Sequence, residues 1–386
     1  MNSSSFKPDV AFCEALQRLS DYCRESGYMG WDNFDGLNSL LFRNSWLYHL
    51  PFMRLAWTQF FKRSPINIRM LTRVPKGYNP KGLALFIQGL LLRGDRDEAE
   101  RLVGIVKEMT CSGYSGTSWG YNFDWQSRNF LTQVGTPNAV TTVFVINALL
   151  EYYRETGNSG WLESAVDGCK FLLENLILFE DKKKLCIGYI PGSNTRVHNV
   201  NMLVAAVLAR VSRLTHNVLY MEKSRKAMTY SINGMHSDFS WSYGESKFQQ
   251  FIDSFHTGFN LVSLKVWMDS SGERLWEKEL KKGYEYFLDN FWLENGCPKY
   301  YHNSLYPIDI HCSAQGIITC LELAEYNDRS MSFAHNIAQW AIDNMQDKSG
   351  YFYYQKWGVI TNRISYMRWS QAWMFYALSR LTANIC

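Results

Sequence analysis

One period organises this chain. Six segments open on a polar or charged residue and continue as helices that are apolar nearly all round. They begin near Lys81 (KGLALFIQGLLL), Thr136 (TPNAVTTVFVINALLEYY), His198 (HNVNMLVAAVLARV), His256 (HTGFNLVSLKVW), His311 (HCSAQGIITCLEL) and Arg368 (RWSQAWMFYALSRL). Successive starts lie 55, 62, 58, 55 and 57 residues apart. A helix that is apolar on every side is a buried helix, and self-similarity at a fixed spacing marks a repeat architecture. Between the apolar segments lie amphipathic ones, over 95–110, 160–178, 217–232, 273–291 and 330–346. A sixth is expected within 9–26 or 44–62. Six buried helices alternating with six amphipathic helices describe αα-hairpins closed into a ring. The expected fold is therefore all-α, an (α/α)6 toroid of the kind shared by six-hairpin glycosidases and terpenoid cyclases. Length alone would suggest two or three domains. The unbroken period argues instead for a single domain over 1–386, with 1–64 supplying the N-terminal helices that complete the ring.

Composition narrows the function classes. Aromatic residues make up 16% of the 386 positions, charged residues only 20%, and the net charge is +4. A chain so apolar is not a disordered or solvating protein, and the small net charge argues against nucleic acid as a partner. No apolar run approaches the roughly 18 residues of a membrane span, and Met1–Pro8 holds no signal-like segment. The nine cysteines are scattered without CxxC pairs, which predicts reduced thiols and a cytoplasmic protein.

The links from amphipathic helix to next buried helix are long and rich in Gly and aromatics: 113–135, 185–197, 234–255, 294–310 and 349–367. The reverse links are short. Long loops without regular structure are usually functional, and in a toroid all of these meet on one rim, beside the N-termini of the buried helices. Tyr121, Trp125, Trp241, Tyr243 and Trp369 are candidate sugar platforms there, since a ring offers flat apolar area with a polar handle. Asp253 with His256 and Asp309 with His311 recur at one repeat position. Arg196, His198 and Asn199 take the equivalent place in an earlier repeat, and Tyr366, Arg368 and Trp369 in the last. Helix N-termini carry partial positive charge and free N–H groups, so carboxylates and anionic ligands are favoured at this rim. Asp124 adds a further candidate polar contact.

No cofactor is expected. The chain has no Walker A loop, Gly-rich dinucleotide loop or nucleophile elbow. No metal is expected either: His198, His256, His311 and Cys312 hold related repeat positions, but His311 and Cys312 point in alternate directions and do not suit a shared zinc.

These rim segments resemble a family of bacterial proteins encoded with exopolysaccharide and lipopolysaccharide assembly genes, often called VpsJ-like. The likeness is carried by GYNFDWQ (120–126), VHNVN (197–201), WSYGE (241–245), IDSFHTG (252–258), YPIDIHCSAQ (306–315) and TNR with YMRW (361–363, 366–369). It spans roughly 75–380 and adds Gln315 to the candidate substrate contacts. It implies a cytoplasmic toroid working in surface-polysaccharide biosynthesis, with the assembly machinery as a partner and a glycan or lipid-linked oligosaccharide as substrate. Two chemistries fit the residues. In a glycosidase, Asp253 and Asp309, or Asp124, would act as acid and base. In an epimerase or lyase on an acidic glycan, His256, His311, Tyr306 or Tyr366 would take a proton, while Arg196 or Arg368 binds the sugar carboxylate. The alternative is a non-catalytic glycan-binding or scaffold protein. An isoprenoid-handling toroid would instead need an apolar central pocket.

Overall fold

The computed structural model describes residues 7–126, 131–383 and 385. The ring is an (α/α)6 toroid in one domain. Its inner helices are Pro80–Leu92, Ala139–Thr156, His198–Thr215, Ser254–Ser271 and Ile310–Glu322, and the sixth is the π-helical turn Met367–Ala372 running into Trp373–Thr382. Each inner helix packs on the next, and Trp373–Thr382 packs on Pro80–Leu92 to close the circle. Burial follows the sequence pattern: every residue from Pro80 to Leu90 is buried. In the outer helix Arg96–Glu108 only Ala99, Leu102, Val103 and Val106 are, which is the stripe of an amphipathic helix.

The remaining outer helices are Ser159–Asn175, Val218–Ile232, Glu277–Asn290, Ser330–Met345 and Lys7–Glu25. Lys7–Glu25 packs against Trp373–Thr382 and Ser330–Met345, so the two ends of the chain meet in one hairpin. Pro51–Arg63 is not a ring helix. It lies over the rim, against the turn Asp35–Asn38 and the strand Trp125–Gln126.

The rim loops are tied down by a recurring hydrogen bond. The first free N–H of each inner helix donates to the backbone carbonyl of an aromatic residue in the loop that leads to the next one. The pairs are Ala139 to Tyr189 (2.9 Å), His198 to Tyr243 (3.1 Å), Ser254 to Tyr300 (2.9 Å), Ile310 to Tyr354 (3.2 Å) and Met367 to Trp31 (3.0 Å). The remaining inner helix, the first along the chain, begins at Pro80, which has no N–H to satisfy. Side chains cap the following amides: Asn79, Asn138, Asp253 and Asp309 each accept from a first-turn N–H. Such caps are worth about 1 kcal/mol each.

Cys13 is disulfide-bonded, contrary to a set of reduced thiols. Spacing along the chain says nothing about which Cβ atoms the fold brings within bonding reach. Cys386 lies outside the described residues, and the other seven cysteines are free. Among the described residues no helix is long and apolar enough to cross a membrane.

Close packing of the inner ring gives a direct test. A Cβ added at Gly316 would stand 2.1 Å from Trp292 Cη2, whereas one at Gly104, on an outer helix, meets nothing within 4 Å. Gly316→Ala is expected to destabilise by about 1–3 kcal/mol through overpacking. Gly104→Ala should stabilise by about 0.5–1 kcal/mol through helix propensity. Urea midpoints measure both, and a Gly316→Ala midpoint at or above wild type would refute the packing argument.

Candidate functional site

Two inner-helix N-termini and the π-helical turn bring the titratable groups together. Asp309 is fully buried and ends the two-residue strand Ile308–Asp309, which pairs with Gln355–Trp357 so that Gln355 stands opposite. Three donors converge on its carboxylate: the His311 N–H (2.9 Å), Gln355 Nε2 (2.5 Å) and Trp369 Nε1 (2.9 Å). Burial outweighs these donors and pushes its pKa up to about 6. Asp253 is also buried. It caps the His256 N–H (3.1 Å) and meets His256 Nδ1 at 2.7 Å. That contact fixes the ring and leaves Nε2 as the nitrogen available to a ligand, on a side chain 19% exposed.

An aromatic wall runs around these groups. Tyr243 lies 4.5 Å from the His256 ring, and Phe255 lies 5.5 Å from Tyr300 and 5.8 Å from Trp369. Phe34 continues the wall, 5.9 Å from Trp369 and 6.4 Å from Trp125, which stands 6.4 Å from Tyr189. The Tyr189 and Tyr121 hydroxyls are hydrogen-bonded at 2.8 Å. Into this basin the helix Pro51–Arg63 delivers Lys62, whose Nζ sits 4.7 Å over Phe34. Burial lowers the Lys62 pKa, while Asp309 and Asp253 oppose that shift. Arg368 lies behind the wall, in a bidentate pair with buried Asp32 (2.7 and 2.8 Å) and under the rings of Tyr121, Phe123 and Trp369.

The basin therefore unites Asp253, His256, Asp309, Trp369, Tyr243, Tyr121 and Trp125, with Arg368 in support. The other sequence candidates lie elsewhere or are otherwise engaged. His311 is enclosed by Trp373 (4.4 Å), Trp369 (4.6 Å) and Phe255 (4.7 Å), with neither ring nitrogen partnered, and burial drives its pKa well down. Asp124 is buried and accepts from Tyr48 Oη (2.7 Å), Val134 N (2.8 Å) and Arg43 (3.1 Å). Tyr366 is buried 4.8 Å beneath the Arg69 guanidinium. Trp241 is buried and donates to the Ser231 carbonyl (2.9 Å), pinning its loop to an outer helix. Tyr306 is 40% exposed. Arg196 and His198 line a separate cavity with Tyr230 and Glu245, and Asn199 is buried beside them in sequence. Gln315 donates to Thr319 Oγ1 within its own helix (3.1 Å) and lines a cavity formed by later turns of the inner helices.

Asp32, Phe34, Lys62 and Gln355 did not emerge from the sequence as site residues. Tyr189 and Tyr300 belong to the aromatic loops expected at the rim, where they recur at the repeat position of Tyr243. No such signal marks Lys62, which reads as an ordinary cation at a helix C-terminus. Among the described residues no three His, Cys, Asp or Glu side chains gather to hold a metal ion.

No protein-family model and no curated protein sequence matches the chain. Solved structures do match in shape. One from Salmonella enterica, described as a possible member of the GH105 family, aligns with a TM-score of 0.65 at 11% identity over 100% of this chain and 97% of that one. An unsaturated glucuronyl hydrolase specific for heparin aligns at 0.63 and 10% identity, over 97% and 96% of the two chains. Cellobiose 2-epimerase from Bacillus thermoamylovorans aligns at 0.61 and 10% identity, over 78% and 86%. At such identities the shared property is the (α/α)6 toroid.

The raised Asp309 pKa has a signed consequence for stability. A carboxyl whose folded pKa exceeds its unfolded value contributes stability at low pH that is lost as pH rises through about 6. Wild type should therefore gain ~2 kcal/mol over Asp309→Asn between pH 7 and pH 4. Parallel stability–pH curves for the two proteins would contradict this.

Proposed function

We propose that the chain is a glycan-modifying enzyme that carries out acid–base chemistry in the rim basin. The observation that carries this reading is His256, held through Nδ1 by buried Asp253, with Nε2 left for a substrate. A protein that only binds glycan would use the aromatic wall but would gain nothing from a histidine so oriented. Asp253 is engaged by the His256 ring and backbone, which makes His256 a better proton-transfer group than Asp253 itself. This favours the epimerase or lyase reading over a glycosidase with two free carboxylates.

The substrate proposed is an acidic glycan or its lipid-linked precursor. His256 Nε2 takes the proton alpha to a uronate carboxylate, and Lys62 pairs with that carboxylate as negative charge builds on it. Asp309, protonated below about 6, returns a proton to the sugar carbon in an epimerase or to the departing oxygen in a lyase. Toroids of this shape include a glucuronyl hydrolase and a 2-epimerase, which supports a sugar substrate. The setting proposed is cytoplasmic surface-polysaccharide biosynthesis beside the assembly machinery. It rests on the VpsJ-like resemblance, whose segments contain Asp253, His256, Asp309 and Trp369.

His256→Gln and Asp309→Asn should each lower turnover by about 10²–10⁴-fold. Wild-type turnover should decline as pH rises above about 6, as Asp309 loses its proton. The check is composition and linkage analysis of surface polysaccharide from cells that carry each variant in place of wild type. Fold integrity is confirmed by circular dichroism. If both variants restore wild-type uronate composition and chain ends, the enzymatic reading is wrong.

A further inference from the structure

A cavity of about 650 Å³ opens at the opposite mouth of the ring, between the C-terminal halves of the inner helices. Its size is that of a small-molecule site. It is closed off from the rim by Phe144, Phe259 and Trp373, three rings that line it and that also hold the Lys81 ammonium at 4.4, 5.4 and 5.1 Å. These three rings are almost wholly buried, and the half-buried Tyr376 gives the lining its more open ring face. Two buried polar atoms on the lining have no protein partner, Trp373 Nε1 and Ser263 Oγ, although buried polar groups are normally hydrogen-bonded.

Among the described residues, every charge around the cavity except that of Arg213 already has a partner of opposite sign. Arg210 donates to Asn147 and to Glu151 (2.5 Å), and Arg154 donates to Glu151 (3.3 Å). Arg380 pairs with Glu322 at 2.7 Å, Glu155 with Arg96, and Asp269 with Lys265. Arg213 donates to the Asp269 carbonyl (2.9 Å). A cation bound here would have to break an existing pair, and an anion would find only Arg213 without a carboxylate partner. An isoprenoid chain would bury these ion pairs against hydrocarbon, which is costly. A ligand with many neutral hydroxyls can accept from guanidinium N–H groups and donate to carboxylate oxygens without separating them, while its C–H face lies on a ring.

We propose that this cavity is a second binding site and that it takes a neutral glycan unit. The inference is independent of the rim chemistry, because none of the basin's acid–base groups lines the cavity. Ligand-observed NMR titration of the full chain tests it with cellotriose, maltotriose and mannotriose as neutral probes. Trigalacturonate and inorganic phosphate serve as the anionic ones. At least one neutral trisaccharide should bind. Its Kd should rise tenfold or more in Arg210→Gln, which removes a donor fork, and in Ala206→Trp, which fills the cavity. Trp125→Ala, on the rim, should leave that Kd within twofold. Should Ala206→Trp fail to fold, Arg210→Gln alone decides. The proposal is overturned if no neutral probe binds, or if binding survives the cavity variants. It is equally overturned if an anionic probe binds more tightly than every neutral one and is the species weakened by Arg210→Gln.

Discussion

The rim depends on the free N–H at the start of each inner helix. A helix leaves its first amides without internal partners, and in this toroid those ends are buried, where an unsatisfied donor costs about 1–3 kcal/mol. The solution is the same in five hairpins: the next rim loop turns its backbone carbonyl onto that amide, and the carbonyl belongs to Tyr189, Tyr243, Tyr300, Tyr354 or Trp31. One bond thus satisfies a helix end, fixes a loop and sets the position of an aromatic residue. The amides that follow are then free to be capped by short side chains, and where that cap is an aspartate the rim acquires its carboxylates.

A second layer of constraint comes from buried ion pairs. Asp32 with Arg368, and Asp35 with Arg69, are almost wholly removed from solvent. Removing one partner of such a pair typically costs about 3–5 kcal/mol, because the remaining charge stays buried. The first pair seats residues 31–38 on the last inner helix, the second ties them to the segment that precedes Pro80, and between them they place Phe34 in the basin wall. Lys62, carried by the helix Pro51–Arg63, stands over the Phe34 ring so placed.

Much of this was legible along the chain, for reasons that differ by residue. Inner helices are apolar all round because they touch neighbours on every side, so their period shows in one dimension. Asp253 with His256 and Asp309 with His311 stood out because capping is local, acting within three residues. Gln355 and Lys62 could not be read this way. Gln355 bonds Asp309 through strand pairing across 46 positions, and Lys62 comes into the field of Asp309 only because its helix folds across the rim. Arg196 and His198 show the opposite case. Their repeat position matches that of the Asp–His pairs, but a ring turns equivalent positions toward different neighbours, and theirs face Tyr230 and Glu245.

By itself, then, the sequence determined the ring and where its rim loops fall, because helix periodicity and end-capping are satisfied within a few residues of where they are written. Only the tertiary structure decided which groups share a basin, that burial pushes the basin's Asp309 up to about 6, and that a second cavity lined with charges lies at the other mouth. Those properties depend on burial and on pairing between distant segments. Neither is set by the residue itself; both come from what the rest of the chain packs against it.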